Sequence, residues 1–219
     1  MDFAFHVLLP AFLACAVFTL LLSYLGLHVL AREVIFVDIA LAQIAGLGTA
    51  VADLRGIEPH TNGSFLYSLV FTFVGAALFA FSRGIRKTRI PQEAFIGIVY
   101  AMAAALSILV ANFLPHGDEE IKEIMVGSLL TVELREVAWT AGIFLVLGIF
   151  HFVFRKKFLQ LSFEEHHEDA GHGMNAMLWD LAFYISFAVV ICTSVQRAGV
   201  LLVFSFLIVP AVFSALYSR

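Results

Sequence analysis

The acidic and basic residues of this chain are confined to short intervals that separate long uncharged stretches. A helix needs about 20 apolar residues to cross the ~30 Å hydrocarbon core of a bilayer. Four of the uncharged stretches exceed this length and the others approach it. The pattern excludes a water-soluble fold and predicts an all-α, polytopic helical membrane protein. The stretches without Asp, Glu, Lys or Arg are 3–31, 39–52, 59–82, 94–117, 137–154, 181–196 and 198–218.

The hydrophobic stretches predict about seven transmembrane helices in a single domain, residues 1–219. The first has no basic leader and no small-residue cleavage site, so we expect a membrane helix rather than a removable signal peptide. The second is short and contains Gly46 and Gly48, which favours a tilted or interrupted helix. Many of the 23 phenylalanines are expected to face membrane lipid or to pack between helices. The predicted spans are 5–30, 39–54, 64–83, 93–114, 136–155, 175–195 and 198–217.

The distribution of Lys and Arg predicts the orientation. With the N-terminus outside and the C-terminus cytoplasmic, nine basic residues fall in cytoplasmic intervals and four fall outside. Cytoplasmic loops of membrane proteins carry the excess of Lys and Arg. We therefore expect a multi-pass protein of the cytoplasmic (inner) cell membrane. The interval 115–135 is then an acidic outer loop, and 156–174 is a long cytoplasmic loop. The four outer basic residues are Arg55, Lys122, Arg135 and Arg197.

Several classes of function are disfavoured by what the sequence contains. The net charge of −4 gives no reason to expect a nucleic-acid partner. Cys15 and Cys192 both lie inside apolar stretches, which argues against a disulfide framework or a cysteine zinc site. We find no Walker A loop, HExxH motif or GxSxG elbow, so the chain is not expected to be an enzyme, and no catalytic residue is assigned. Energy for transport would come from another chain or from an ion gradient.

Asp38 and Gln43 are the candidates for lining a cation path, because polar groups at membrane depth are costly and mark functional sites. Five positions separate them, about 140° around a helix, so they share a face only loosely. The alternative is that Asp38 is the N-cap of the second helix. Asp180, next to Trp179 near the start of the sixth predicted span, is expected to be an interfacial anchor.

Histidines occur in two settings. His166, His167 and His172 stand among carboxylates in the long cytoplasmic loop, which suggests at most a metal-sensitive loop. His28 and His151 lie near the ends of their helices, and we do not expect them to face each other at matching depth, as a haem between two helices requires. The long loop is either a solvated linker or a docking element for a cytoplasmic partner.

Four stretches resemble, in the same order, the permease subunits of zinc, manganese and iron uptake ABC transporters. Together they extend over nearly the whole chain, and Pro210 takes the matching place in the last of them. The stretches are LHVLAREVIFVDIALAQIAGLGTAVA (27–52), EAFIGIVYAMAAALSILV (93–110), IMVGSLLTVELREV (124–137) and GVLLVFSFLIVPAVFSAL (199–216).

The resemblance implies a homodimeric permease that moves a divalent metal ion, zinc or manganese, by alternating access. It implies an extracytoplasmic metal-binding protein that delivers the ion and a separate cytoplasmic ATP-binding subunit that supplies the energy. ATP would bind that subunit, and this chain would hold no cofactor. Docking of the ATP-binding subunit would fall on Glu164, Glu168, Asp169, Ala170 and Gly173. Two rival functions are a secondary carrier that works alone and a membrane-embedded haem or redox subunit.

The sequence departs from the family pattern in two places. Asp38 stands one position early, and Gln43 stands where a histidine is often found. An amide is a weaker ligand for transition metals than a neutral imidazole. The chain ends at Arg219, whereas such permeases usually continue for at least one more helix, so we expect either a shorter variant or an incomplete product.

Overall fold

The computed structural model of the chain describes residues 2–59, 61–84, 91–115, 117–163 and 174–217. These residues form helices and connecting turns without a β-strand, which confirms the predicted all-α fold class. The elements are α1 (Asp2–Ala31), α2 (Val37–Leu54), α3 (Asn62–Gly84), α4 (Gln92–Ala111), α5 (Gly117–Val126), a 3-10 helix (Leu129–Thr131), α6 (Leu134–Val153), α7 (Arg155–Phe163) and α8 (Met174–Tyr217).

Within the described ranges, six helices are long and apolar enough to cross a membrane: α1, α2, α3, α4, α6 and α8. The apolar part of α8 has 43 residues. At 1.5 Å per residue it would be about 65 Å long, twice the ~30 Å hydrocarbon core. Its helical geometry is broken at Gly199, where φ is 73° and ψ is 163°. α8 therefore contains two of the predicted spans, and the seven predicted spans correspond to these six helices.

α8 reverses its direction at Gly199. Before the break, the ring of Phe183 lies 5.9 Å from that of His28 in α1. After the break, the backbone of Leu207 lies against Gly26 of α1. Both halves of α8 thus pack against the same end of α1 and run in opposite directions along it. This geometry places two of the predicted spans side by side.

The turn of α8 lies within the bundle. Arg197, which the sequence placed in an outer loop, lines a small cavity with Phe18 from the middle of α1. The Ser128 N–H donates to the Arg197 carbonyl at 3.1 Å. Gly127 and Gly199 pack backbone against backbone at positive φ values of 72° and 73°. A Cβ on Gly199 would lie 2.4 Å from the Val126 carbonyl carbon, so this contact requires glycine.

The acidic interval 115–135 is more ordered than the predicted loop. It contains α5 and the 3-10 helix, and α5 packs against α8, α4 and α2. Ile124 of α5 lies against Gly46, where a Cβ would come within 2.9 Å of its side chain. The interval was predicted as a loop because its charges interrupt the apolar pattern, yet its apolar residues give α5 a face to pack.

α2 is the most buried membrane span, with 67% of its apolar window inside the protein against 22% for α4 and for α6. It is one continuous helix, so the predicted interruption at its glycines is wrong. A Cβ on Gly48 would lie 2.8 Å from the Ser68 Cα and 2.9 Å from the Tyr67 carbonyl oxygen. Small residues allow membrane helices to approach this closely. The glycines therefore serve packing of α2 against its neighbours.

Candidate functional site

Asp38 lies in the first turn of α2, at the end of the bundle where α1 finishes. The residue is 2% exposed, and its Oδ1 accepts no hydrogen bond. The N-cap is Phe36 rather than Asp38, so the capping position predicted as the alternative is wrong. The carboxyl group still faces the backbone N–H groups of Asp38 and Ile39, which suits a negative charge at a helix N-terminus.

Glu93 of α4 is a second carboxylate at the start of α2, and sequence reasoning missed it. Its Oε1 accepts the Phe36 backbone N–H at 3.0 Å. Its Oε2 is buried without a hydrogen-bond partner, and the group is near enough to Asp38 to interact with it electrostatically. Buried carboxylate oxygens without donors favour a proton or a cation as their partner. Glu93 opens one of the four family-like stretches, which was the available signal.

Gln43 lies further along α2 and contacts a different helix. Its Nε2 donates to the Sδ of Met125 in α5 at 3.5 Å. Neither residue of the predicted pair contacts the other, because five positions turn them away from each other around α2. Asp38 faces the α4 side near Glu93, whereas Gln43 faces α5. Met125 adds a thioether, a soft ligand type that suits metals such as Cu(I) and zinc better than manganese.

The Arg32 cluster, formed by His28, Arg32, Ser162 and Asp180, lies at the same end of the bundle. The Arg32 side chain is fully buried, and its Nη1 donates to Asp180 Oδ1 at 2.8 Å. Its Nε donates to Ser162 Oγ at 2.9 Å, and the His28 Nδ1 lies 2.9 Å from the same hydroxyl. Asp180, at 7% exposure, is part of a buried ion pair, so its predicted role as an interfacial anchor is wrong.

His28 and His151 come together around a third side chain, contrary to expectation. The ring of Tyr24 lies 4.8 Å from the ring of His28 and 5.7 Å from that of His151. His151 also stacks on Phe158 of α7, at a centroid distance of 4.4 Å. α1 and α6 end at the same depth, which sequence spacing does not reveal. The two histidines thus join α1, α6 and α7 in one aromatic cluster.

The residues predicted to dock an ATP-binding subunit fall outside the described ranges. The same holds for the three histidines of the long loop. α7, which precedes them in the chain, is a helix packed through Phe158 and Ser162, both buried. The predicted loop 156–174 therefore begins as helix rather than as linker.

The fold and these buried polar groups can be compared with known proteins. The chain matches the ABC 3 transport family over residues 4–219. It belongs to this family. The match confirms the resemblance seen in the four stretches.

Two curated relatives carry metal-transport names. The chain is 26% identical over 171 residues to the manganese transport system membrane protein MntC of Listeria monocytogenes, covering 75% of this chain and 59% of that protein. It is 22% identical over 216 residues to the high-affinity zinc uptake system membrane protein ZnuB of Haemophilus influenzae, covering 98% and 79%. The chain therefore spans less than two thirds of the length of MntC and more than that of ZnuB.

A solved structure shares the fold. The structure of PsaBC from Streptococcus pneumoniae in complex with Fab superimposes with a TM-score of 0.75 at 23% sequence identity. The likeness covers 97% of this chain and 74% of that chain. The arrangement of the membrane helices is thus the one found in that permease.

Proposed function

We propose that this chain is the membrane-spanning subunit of an ABC importer for a divalent metal ion, manganese or zinc. The observation that carries the proposal is the family match across almost the entire chain, together with relatives named for transport of these metals. The chain itself supplies the path and performs no covalent chemistry. The ion crosses by alternating access, driven by ATP on a separate subunit.

Asp38 and Gln43 line the path in this proposal, and Glu93 assists Asp38. A buried carboxylate oxygen without a donor provides negative charge where a cation loses its water. Gln43 and Met125 offer an amide and a thioether about one and a half turns further along α2. Oxygen-rich ligands suit manganese, whereas sulfur and nitrogen favour softer metals. The two positions act at different depths, as separate steps of one path rather than as one ligand set.

The partners follow from the same proposal. The chain forms a homodimer in the cytoplasmic membrane, with its N-terminus outside and its C-terminus in the cytoplasm. An extracytoplasmic metal-binding protein delivers the ion to the outer face. The cytoplasmic ATP-binding subunit docks on the loop 156–174, through Glu164, Glu168, Asp169, Ala170 and Gly173. The orientation is supported by the nine basic residues that fall on the docking side.

Co-expression with a candidate ATP-binding subunit from the same organism tests the proposal. We expect the two chains to purify as one complex whose ATPase activity rises when a metal-loaded binding protein is added. Manganese and zinc are supplied separately, so that the preferred ion is read from the same assay. Failure to assemble with any ATP-binding subunit would contradict the proposal.

Two further measurements address the rival functions. Metal uptake by proteoliposomes that hold only this chain, without ATP, would favour a secondary carrier. A Soret absorbance band in the purified chain would favour a haem or redox subunit, with His28 and His151 as the histidines to substitute first.

A further inference from the structure

We propose that Arg32 is a positioning residue that passes the motion of the ATP-binding subunit into α1 and the start of α2. The inference rests on the proposed function and adds the route by which force reaches the path. A single buried guanidinium holds two elements at once, since Nε donates to Ser162 Oγ at 2.9 Å and Nη1 donates to Asp180 Oδ1 at 2.8 Å. The guanidinium also lies 4.0 Å from the centre of the Phe183 ring.

The two partners of Arg32 flank the predicted docking residues in the chain. Ser162 stands at the end of α7, just before position 164, and Asp180 stands in the first turns of α8, after position 173. Both ends of the docking segment are therefore fixed to the same side chain of α1. A displacement of either end changes the position of Arg32, because a buried, paired guanidinium cannot be released into the apolar interior without great cost.

The connection from Arg32 to Asp38 is short. Only residues 32–36 separate α1 from α2, and the Val34 N–H donates back to the Val29 carbonyl at 3.2 Å. The Val37 N–H donates to the Val34 carbonyl at 3.1 Å, and both valines are fully buried. The end of α1 and the start of α2 thus form one packed corner. Movement of Arg32 is delivered to the turn of α2 that carries Asp38.

Proximity alone does not demonstrate coupling, so the test measures coupling itself. The complex is reconstituted in proteoliposomes, and manganese transported per ATP hydrolysed is determined for the wild type and for Arg32→Lys. Lysine keeps the charge for Asp180 but presents a point charge that does not hold both partners in the fixed geometry of a guanidinium. We expect the transported ions per ATP to fall about fivefold or more, while complex assembly and the ATPase rate stay near wild type.

Arg55→Lys is the matched control, because Arg55 is exposed and bonds only the Tyr67 hydroxyl, at 3.0 Å. It should transport as the wild type does. Ser162→Ala is the second test variant, since it removes one hydroxyl and leaves the Arg32–Asp180 ion pair in place. Its transport per ATP should also fall. If Arg32→Lys does not assemble, Ser162→Ala decides the question in the same assay.

The outcomes separate the two proposals. A wild-type complex that shows no ATP-driven transport overturns the proposed function and this inference with it. A wild-type complex that transports metal, with Ser162→Ala and any assembled Arg32→Lys at the wild-type ratio, overturns only the role of Arg32. A loss in both variants that is matched by an equal loss of ATPase rate would indicate a merely structural role and would also overturn it.

Discussion

Gly199→Ala should destabilise the protein strongly, because the turn of α8 depends on a conformation open only to glycine. The backbone at Gly199 has φ 73° and ψ 163°, a region whose occupation by other residues costs about 1–3 kcal/mol. The added Cβ would also lie 2.4 Å from the Val126 carbonyl carbon and 2.5 Å from the Gly127 nitrogen. Both atoms belong to the backbone, so the conflict adds about 1–3 kcal/mol for overpacking. The expected loss is about 4 kcal/mol in the free energy of unfolding.

The assay is thermal unfolding of purified protein in detergent, followed by tryptophan fluorescence or by aggregation. For a chain of this length, a loss of about 4 kcal/mol corresponds to a fall in Tm of roughly 8–16 °C. Gly97→Ala is the matched control, since a Cβ at Gly97 of α4 meets nothing within 4 Å. It should leave Tm unchanged or raise it slightly, because alanine is the better helix former by about 0.5–1 kcal/mol. Equal Tm values for the two variants would refute the described turn.

Three further predictions concern α2 and its neighbours. Gly48→Val should lower the Tm in the same assay, because a Cβ there lies 2.8 Å from the Ser68 backbone, and Gly142→Val, at a position open to 4 Å, should not; equal Tm values would contradict the close α2–α3 packing. Gln43→His should tighten zinc binding, measured by isothermal titration, because imidazole is a better transition-metal ligand than an amide, and unchanged affinity would remove Gln43 from the path. Glu93→Gln should keep an acceptor for the Phe36 N–H and preserve Tm, but should slow metal uptake by removing negative charge; wild-type uptake would exclude Glu93 from the path.

The membrane helices could be predicted from sequence because the cost of burying charge in lipid acts residue by residue. The ends of α2, α3 and α6 lie within about three residues of their predicted positions, since a charged residue marks each boundary. The reversal at Gly199 was also anticipated as a gap between two spans. Its depth was not, because Arg197 was counted as a loop residue although it packs at the level of Phe18.

The polar contacts could not be predicted because they depend on which helices become neighbours. Arg32 and Asp180 stand 148 positions apart and each looks, in sequence, like a charge at a membrane boundary. Asp38 was correctly singled out as a polar group at a costly position, but its neighbour Glu93 is 55 positions away. Hydrophobic periodicity gives the number and ends of helices and carries no information on such distant pairs.

ATP-dependent accumulation of manganese or zinc in proteoliposomes tests the central claim most directly. The vesicles contain this chain, its ATP-binding subunit and the metal-binding protein, with ATP on the side of the docking segment. The account predicts accumulation that requires ATP, and an initial rate for Asp38→Asn that is lower by about tenfold or more. Asp53→Asn, at the other end of α2, should transport near the wild-type rate. Accumulation by this chain alone without ATP, or a wild-type rate for Asp38→Asn, would contradict the account.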